Sequence, residues 1–321
     1  MTTSPKKPAP KRKKKDPPID MVVVPTDFRV PVPPEYTGDV FVWDLDKTYL
    51  RTKFESFGDL VRTIRQTAKD KVAYPGATPL LRALRRGPNG VRPIYFVSAS
   101  PPQIREKILE KFALDGVEVD GIYFKDNLRN VRPGRFKRLR EQMGYKTLAL
   151  MDLRAKLPPG AVETMFGDDA ETDVAIYSTF SEIIEGHIAN WPLYELMLKQ
   201  GVFRDEALRI AWRARKLARR DGVRRIFITV HRDNLEPRYF RRFGNRVTGT
   251  RTYFQTAMAL HAEDRIAIED VAVVAEELLG RGGMSKYELS RQLDDLRRRA
   301  VLKIDDITRL SAKLTELGVL G

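Results

Sequence analysis

Asp44 and Asp46 stand two residues apart at the end of the apolar run Val40-Phe41-Val42-Trp43. Two carboxylates at that spacing can share a hard divalent cation while one of them acts as nucleophile or proton carrier. The plainer alternative is a strand followed by an Asx turn, in which the aspartates only cap the backbone. Three further places carry comparable groups. Ser98 follows the apolar segment Ile94 to Val97, and its hydroxyl with neighbouring backbone N–H groups can hold a phosphoryl oxygen. Lys146 follows Gly144-Tyr145 at the start of a helical pattern, and Gly167-Asp168-Asp169 ends another apolar run, with Asp173 after it. Each has an ordinary reading: a helix cap for Ser98, a solvated surface lysine, a turn for the Asp168-Asp169 doublet. Their ordered arrival at strand or helix ends makes four independent coincidences a poor account.

These groups need elements to bring them together. Val40 to Trp43, Ile94 to Val97, Val119 to Phe124, Val162 to Phe166 and Ile226 to Val230 read as strands, and Glu182 to Glu185 as a further one. Helical spacing marks Phe57 to Lys71, Thr78 to Arg86, Gln103 to Phe112, Arg135 to Met143, Thr147 to Leu157, Leu193 to Lys199 and Asp205 to Arg219, with a short helical turn over Ala175 to Phe180. The alternation predicts an α/β fold, a doubly wound Rossmann-like parallel sheet, whose sites lie beyond the strands' carboxyl ends. From Thr252 the pattern is helical only: Thr252 to Leu260, Ala267 to Leu279, Lys286 to Val301 and Ile307 to Leu317, the third opening on a Ser285/Glu288 capping box. The expected organisation is a disordered basic tail over 1–20, a catalytic domain over 21–249 with a small helical lid at about 49–73, and a helical extension over 250–321. That extension is either a subdomain or a covering layer.

This order of motifs resembles the haloacid dehalogenase superfamily of aspartate-nucleophile phosphohydrolases. Within it, the sequence is similar to the catalytic domain of the actin-patch-associated phosphatidate phosphatases and their bacterial relatives. The first motif resembles Asp-Leu-Asp-x-Thr with a further threonine, here Asp44, Leu45, Asp46, Thr48 and Thr52. Tyr74-Pro75-Gly76 resembles the segment that leads into a Leu/Arg helix, and Phe96 to Pro101 resembles the second motif. Lys146 with the downstream Pro158 resembles the third. Gly167, Asp168 and Asp173, with Tyr177 beyond, resemble the fourth. The likeness spans about residues 38 to 232.

The resemblance implies a Mg²⁺-dependent phosphomonoesterase in which Asp44 is the nucleophile and Asp46 the general acid and base. It further implies that Asp44, the Asp46 carbonyl and Asp168 hold Mg²⁺, with Asp169 or Asp173 near the remaining waters. Ser98 and Lys146 would meet the phosphoryl group, and Thr48, Ala99 and Arg51 would line the substrate's place. Two departures stand out. Lys47 occupies a position where the subgroup usually has Asp, and the doublet Asp168-Asp169 leaves the completion of the metal shell open. His231 and His187 read as structural or substrate-contacting. The favoured substrate is a phosphatidate-like lipid phosphate. The alternatives are phosphate on nucleic-acid ends, nucleotides or sugars, or a non-catalytic protein that binds anionic lipid or RNA.

Composition bounds these readings. The net charge of +15 draws on 58 Lys and Arg, seven of them between Lys6 and Lys15. Such a balance suits an anionic substrate, and the tail suits peripheral contact with an anionic membrane or nucleic acid. With no cysteine there is no disulfide framework, no thiolate nucleophile and no Cys-based metal site, which fits a cytoplasmic setting. Three scattered histidines give no zinc pattern. No apolar run reaches the roughly 20 residues of a membrane span.

Overall fold

The computed structural model describes residues 21–25, 29, 32–51, 67, 71–87, 90–125, 142–169, 172–217 and 219–321. The basic tail, Thr52, most of the expected lid with its helix from Phe57, and the expected helix from Arg135 to Met143 as far as Glu141 lie outside them.

The sheet is built on β2 (Asp39–Asp44). It runs parallel to β5 (Ile94–Ser98) on one side and to β7 (Val162–Asp168) on the other. Beyond β5 lies β6 (Gly121–Lys125), and antiparallel to that lies the edge strand β1 (Met21–Pro25). Beyond β7 come β8 (Val223–Thr229) and β9 (Val247–Thr250). The order is therefore β1-β6-β5-β2-β7-β8-β9, six parallel strands with one antiparallel edge. A two-stranded hairpin of β3 (Arg86–Gly87) and β4 (Gly90–Val91) stands apart. The chain builds outward from β2 to β6, returns to β7 beside β2, and builds outward again. That places β2 at the topological switch point, where open α/β sheets form their crevice.

Side chains alternate along β2 so that both faces are buried. Phe41 and Trp43 join Phe96, Phe166 and Phe227 on one face, and Val40 and Val42 join Met165, Ile226 and Ile228 on the other. Trp43 and Phe166 stack with centroids 4.2 Å apart. A slip of one residue would turn each large ring to the wrong face, and each is worth about 2–3 kcal/mol when buried, so the register is firmly set.

The aromatic face is covered by α1 (Ala77–Arg85), α2 (Arg105–Leu114) and four C-terminal helices. These are α7 (Tyr253–Ala262), α8 (Ile268–Gly280), α9 (Lys286–Arg298) and α10 (Ile304–Glu316). The aliphatic face is covered by α3 (Met143–Lys156), α4 (Asp173–Glu185), α5 (Asn190–Lys199) and α6 (Arg204–Ala214). The C-terminal helices thus share one hydrophobic cluster with the sheet. Ser285 and Glu288 form the expected reciprocal cap at the start of α9. No helix among the described residues is long and apolar enough to cross a membrane.

Two expectations are corrected. Glu182 to Glu185 is the last turn of α4, not a strand, and the helix is longer than the short turn expected over Ala175 to Phe180. Ile176, Phe180, Ile183 and Ile184 recur at helical spacing and are all buried, so packing overrides the β-branched Ile pair. Gly186, at φ 78°, ends the helix in the left-handed conformation that glycine adopts without strain. Strand β9 was not foreseen: four residues, Val-Thr-Gly-Thr, carry too little apolar pattern to declare themselves.

Candidate active site

Three adjacent strands deliver three polar groups to one end of the sheet: Asp44 from β2, Ser98 from β5 and Asp168 from β7. All three are fully buried. Asp44 follows Val42 in the alternation, which turns it toward the face covered by α3 and α4. From α3, in its first turn, comes Lys146, and from the first residue of α4 comes Asp173. The Lys146 ammonium donates to Asp44 Oδ1 at 2.7 Å and to Asp173 Oδ1 at 2.6 Å, with 0% exposure of the lysine side chain.

Asp173 also accepts from the Asp168 backbone N–H through Oδ2 at 3.3 Å. Carboxylate oxygens of Asp44, Asp168 and Asp173 all lie within 4.8 Å of one another. Gly167 is what permits this closeness, since a Cβ there would stand 2.6 Å from Asp173. A cluster so buried is tolerable only with compensating charge, because an uncompensated ion in the interior costs several kcal/mol.

Asp46 sits on the other side of the turn. Its Oδ2 accepts from Ser98 Oγ at 3.0 Å and from Ser100 Oγ at 2.7 Å. The Ser98 hydroxyl in turn accepts from the Ser100 backbone N–H at 3.0 Å. Two hydroxyls on one oxygen fix the carboxyl plane, so the second motif orients Asp46 as much as it offers a place for a phosphoryl oxygen. Thr48 is fully buried, and its Oγ1 has no hydrogen-bond partner among the described residues. Ala99 is half-buried beside Ser98.

The doublet divides its labour. Asp169 Oδ1 accepts from the His231 backbone N–H at 2.9 Å, and Oδ2 accepts from Arg232 N at 3.1 Å and Arg232 Nε at 3.0 Å. Asp169 therefore anchors the loop after β8, while Asp168 and Asp173 join Asp44. His231 Nε2 lies 2.7 Å from the Lys47 carbonyl oxygen. A carbonyl only accepts, so the imidazole carries its proton on Nε2. Burial holds the His231 pKa below its usual value, opposed by that bond to Lys47 and by Asp169. The ring stacks on Tyr74 at 4.5 Å, and the guanidinium of the exposed Arg51 lies over the same Tyr74 ring, 5.3 Å from its centroid. Burial, then the charge of Asp168, raises the Tyr74 pKa, which marks that ring as a neighbour of the cluster.

Sequence reasoning had named every acid of this cluster and its lysine. It passed over Ser100, whose place two residues after Ser98 was visible, and Tyr253, whose hydroxyl donates to the Thr48 carbonyl at 2.6 Å. No local signal could have linked positions so far apart. His187, at the C-terminal end of α4, pairs with Glu182 and Glu185, away from these groups. A cavity of about 390 Å³ also lies elsewhere, where Arg251, Arg291 and Arg298 face Glu236, Glu288 and Asp295. Its charges balance within its own lining, and none of the buried acid–lysine cluster contributes to it.

The molecule is thus a Rossmann-like α/β domain with a buried ammonium set among carboxylates at one end of its parallel strands. A family model described as "Phosphatidate phosphatase APP1, catalytic domain" matches residues 40–229, more than half of the chain, and the protein belongs to that family. The match begins at β2 and ends with β8, so it encloses every acid of the cluster together with Lys146, and excludes α7 to α10. No curated protein and no solved structure matches the chain.

Proposed function

We propose that this protein is a Mg²⁺-dependent phosphomonoesterase of the haloacid dehalogenase type, working through an aspartyl phosphate on Asp44, with a phosphatidate-like lipid phosphate as substrate. The observation that carries the reading is the sharing of Lys146 between Asp44 and Asp173 beside Asp168. The family's name supports the lipid phosphate.

The donor set suits the metal: hard carboxylate oxygens of Asp44, Asp168 and Asp173 stand close together. Asp44, the Asp46 carbonyl and Asp168 would hold Mg²⁺, and the ion would supply positive charge against the phosphoryl oxygens. Asp173 serves by holding Lys146 and the Asp168 backbone.

In the first half-reaction an Asp44 carboxylate oxygen forms a bond to phosphorus as the bond from phosphorus to the alcohol oxygen breaks. Asp46 gives its proton to that departing oxygen. In the second half, Asp46 takes a proton from water as the water oxygen bonds to phosphorus, and the Asp44 carboxylate leaves, restoring both groups. Lys146 stays beside Asp44 throughout and stabilises charge on the transferring group. The Thr48 and Ser98 hydroxyls and the backbone at Ala99 would meet phosphoryl oxygens, and the exposed Arg51 an anionic headgroup.

The test is phosphate release, with and without Mg²⁺, from short-chain phosphatidates, sugar phosphates, nucleotides and phosphorylated oligonucleotides, with Asp44→Asn alongside. Turnover of phosphatidate that requires Mg²⁺ and vanishes in the variant is the expected result. Turnover confined to another class would change the substrate, and wild-type inertness across the panel would count against a phosphatase.

A further inference from the structure

We infer that His231 and Tyr253 are positioning residues of the loop that carries Asp46 and Thr48, an inference that rests on the phosphatase reading for its catalytic consequence. The observation is a juxtaposition. Two consecutive carbonyls of that loop, those of Lys47 and Thr48, are each held by a side chain from outside the family match: His231 Nε2 at 2.7 Å and the Tyr253 hydroxyl at 2.6 Å.

The loop needs such help. It reverses within a few residues, with Tyr49 N and Leu50 N both donating to the Leu45 carbonyl and Lys47 N donating to the Leu50 carbonyl. To make that turn, Lys47 takes φ 60°, the left-handed region. A residue with a Cβ meets about 1–2 kcal/mol of steric cost there, so the conformation persists only when its surroundings fix it. The carbonyls on either side of Thr48, those of Lys47 and of Thr48 itself, are the handles by which they do so.

Both holders are themselves held. The His231 backbone is tied to Asp169, and its ring is stacked on Tyr74. Tyr253 is buried and stacked 5.6 Å from Trp43 on the strand that ends at Asp44. The fourth motif thus reaches the first through Asp169 and His231, and the C-terminal helices reach it through Tyr253. What is fixed is the direction of the Asp46 carboxyl and of the buried Thr48 hydroxyl, which must both face the same phosphoryl group. A misplacement of about 1 Å at such a loop costs on the order of 100-fold in rate.

The experiment uses the full chain as wild type, Tyr253→Phe, His231→Phe, His231→Gln and Asp44→Asn, assayed on short-chain phosphatidate with Mg²⁺. Amide hydrogen exchange is followed in the peptide spanning residues 44–50. Tyr253→Phe keeps the stack on Trp43 and loses only the donor, and His231→Phe keeps an aromatic ring on Tyr74 and loses only the donor. Each is expected to lower kcat about tenfold with KM changed less than about twofold, and to speed exchange in that peptide. His231→Gln, which still offers an N–H toward the Lys47 carbonyl, is expected to recover most of kcat and the slow exchange.

The inference is overturned if both Phe variants keep wild-type kcat and exchange. It is equally overturned if His231→Gln falls as far as His231→Phe, since the ring and not the bond would then matter. Should Asp44→Asn match the wild type in turnover, or should the wild type be inert, it is the phosphatase reading that fails. The exchange data, which need no substrate, then decide the inference alone.

Discussion

Lys146 lies between two carboxylates with no exposure to solvent, so its charge and theirs are mutually dependent. Lys146→Met leaves Asp44 and Asp173 facing each other without the ammonium. Turnover is expected to fall by roughly 1,000-fold, and stability in urea by about 3 kcal/mol, the order seen when one partner of a buried pair is removed. A second buried pair offers a pH test away from the site. Glu163, at the base of β7, is bonded to Arg154 of α3 at 2.7 Å, yet burial outweighs that attraction and raises its pKa from the usual 4.5 to about 7. The folded protein therefore holds this proton more tightly than the unfolded chain does. Its contribution to stability is full below pH 4.5 and is lost as pH rises through about 7. Relative to Glu163→Gln, the wild-type urea midpoint should fall between pH 5 and pH 8, and a rise over that window would mean that Arg154 dominates instead. At this scale the sequence was informative where spacing alone sets geometry, as for Asp44 with Asp46. It could not divide Asp169 from Asp173, because that depends on which of them meets Lys146 and which meets the loop after β8, and both partners are distant in sequence.

Elements were legible in proportion to their length and periodicity. The central strands are continuous apolar runs, and α8 to α10 carry clear helical spacing, so their existence could be read directly. Helix α4 was misread at its end, since a pair of isoleucines has strand propensity while only the packed structure reveals that they share a face with Ile176 and Phe180. Strand β9 is held by pairing with β8 along its length and not by its own composition. Capping is the element-scale feature most open to test. In α9, Ser285 Oγ accepts from the Glu288 N–H at 3.2 Å, and Glu288 Oε2 accepts from the Ser285 N–H at 2.7 Å. Ser285→Ala should lower stability by about 1 kcal/mol in urea titration and leave kcat unchanged, because α9 offers no group to the acidic cluster.

At the scale of the molecule, the helices beyond Thr250 are the cover of an aromatic sheet face. Trp43, Phe166 and Phe227 belong to the same cluster as Phe254, Met258, Leu289 and Leu310. A chain ended at residue 250 would expose that face, and such a patch drives association. The expected product is aggregated protein with no turnover, assayed by sedimentation and phosphate release. A soluble, active fragment would show that the sheet is sufficient without its cover. The doubly wound architecture was readable from alternation, whereas the face on which the last helices settle was not, because their apolar stripes fit any apolar surface of suitable breadth.

The long reach of the contacts at Asp44 and Thr48 has a consequence for how the protein is made. Lys146 lies 102 residues after Asp44, and Tyr253 lies 205 residues after Thr48. During synthesis, a ribosome that has completed β8 has already released every acid of the cluster and its lysine. The tyrosine that steadies the first loop, and the layer that closes the aromatic face, have yet to emerge. The nascent chain thus carries the motif residues well before the side chain that holds the Thr48 carbonyl has been made. Truncated products of stalled or prematurely ended translation would carry the motifs and remain inert.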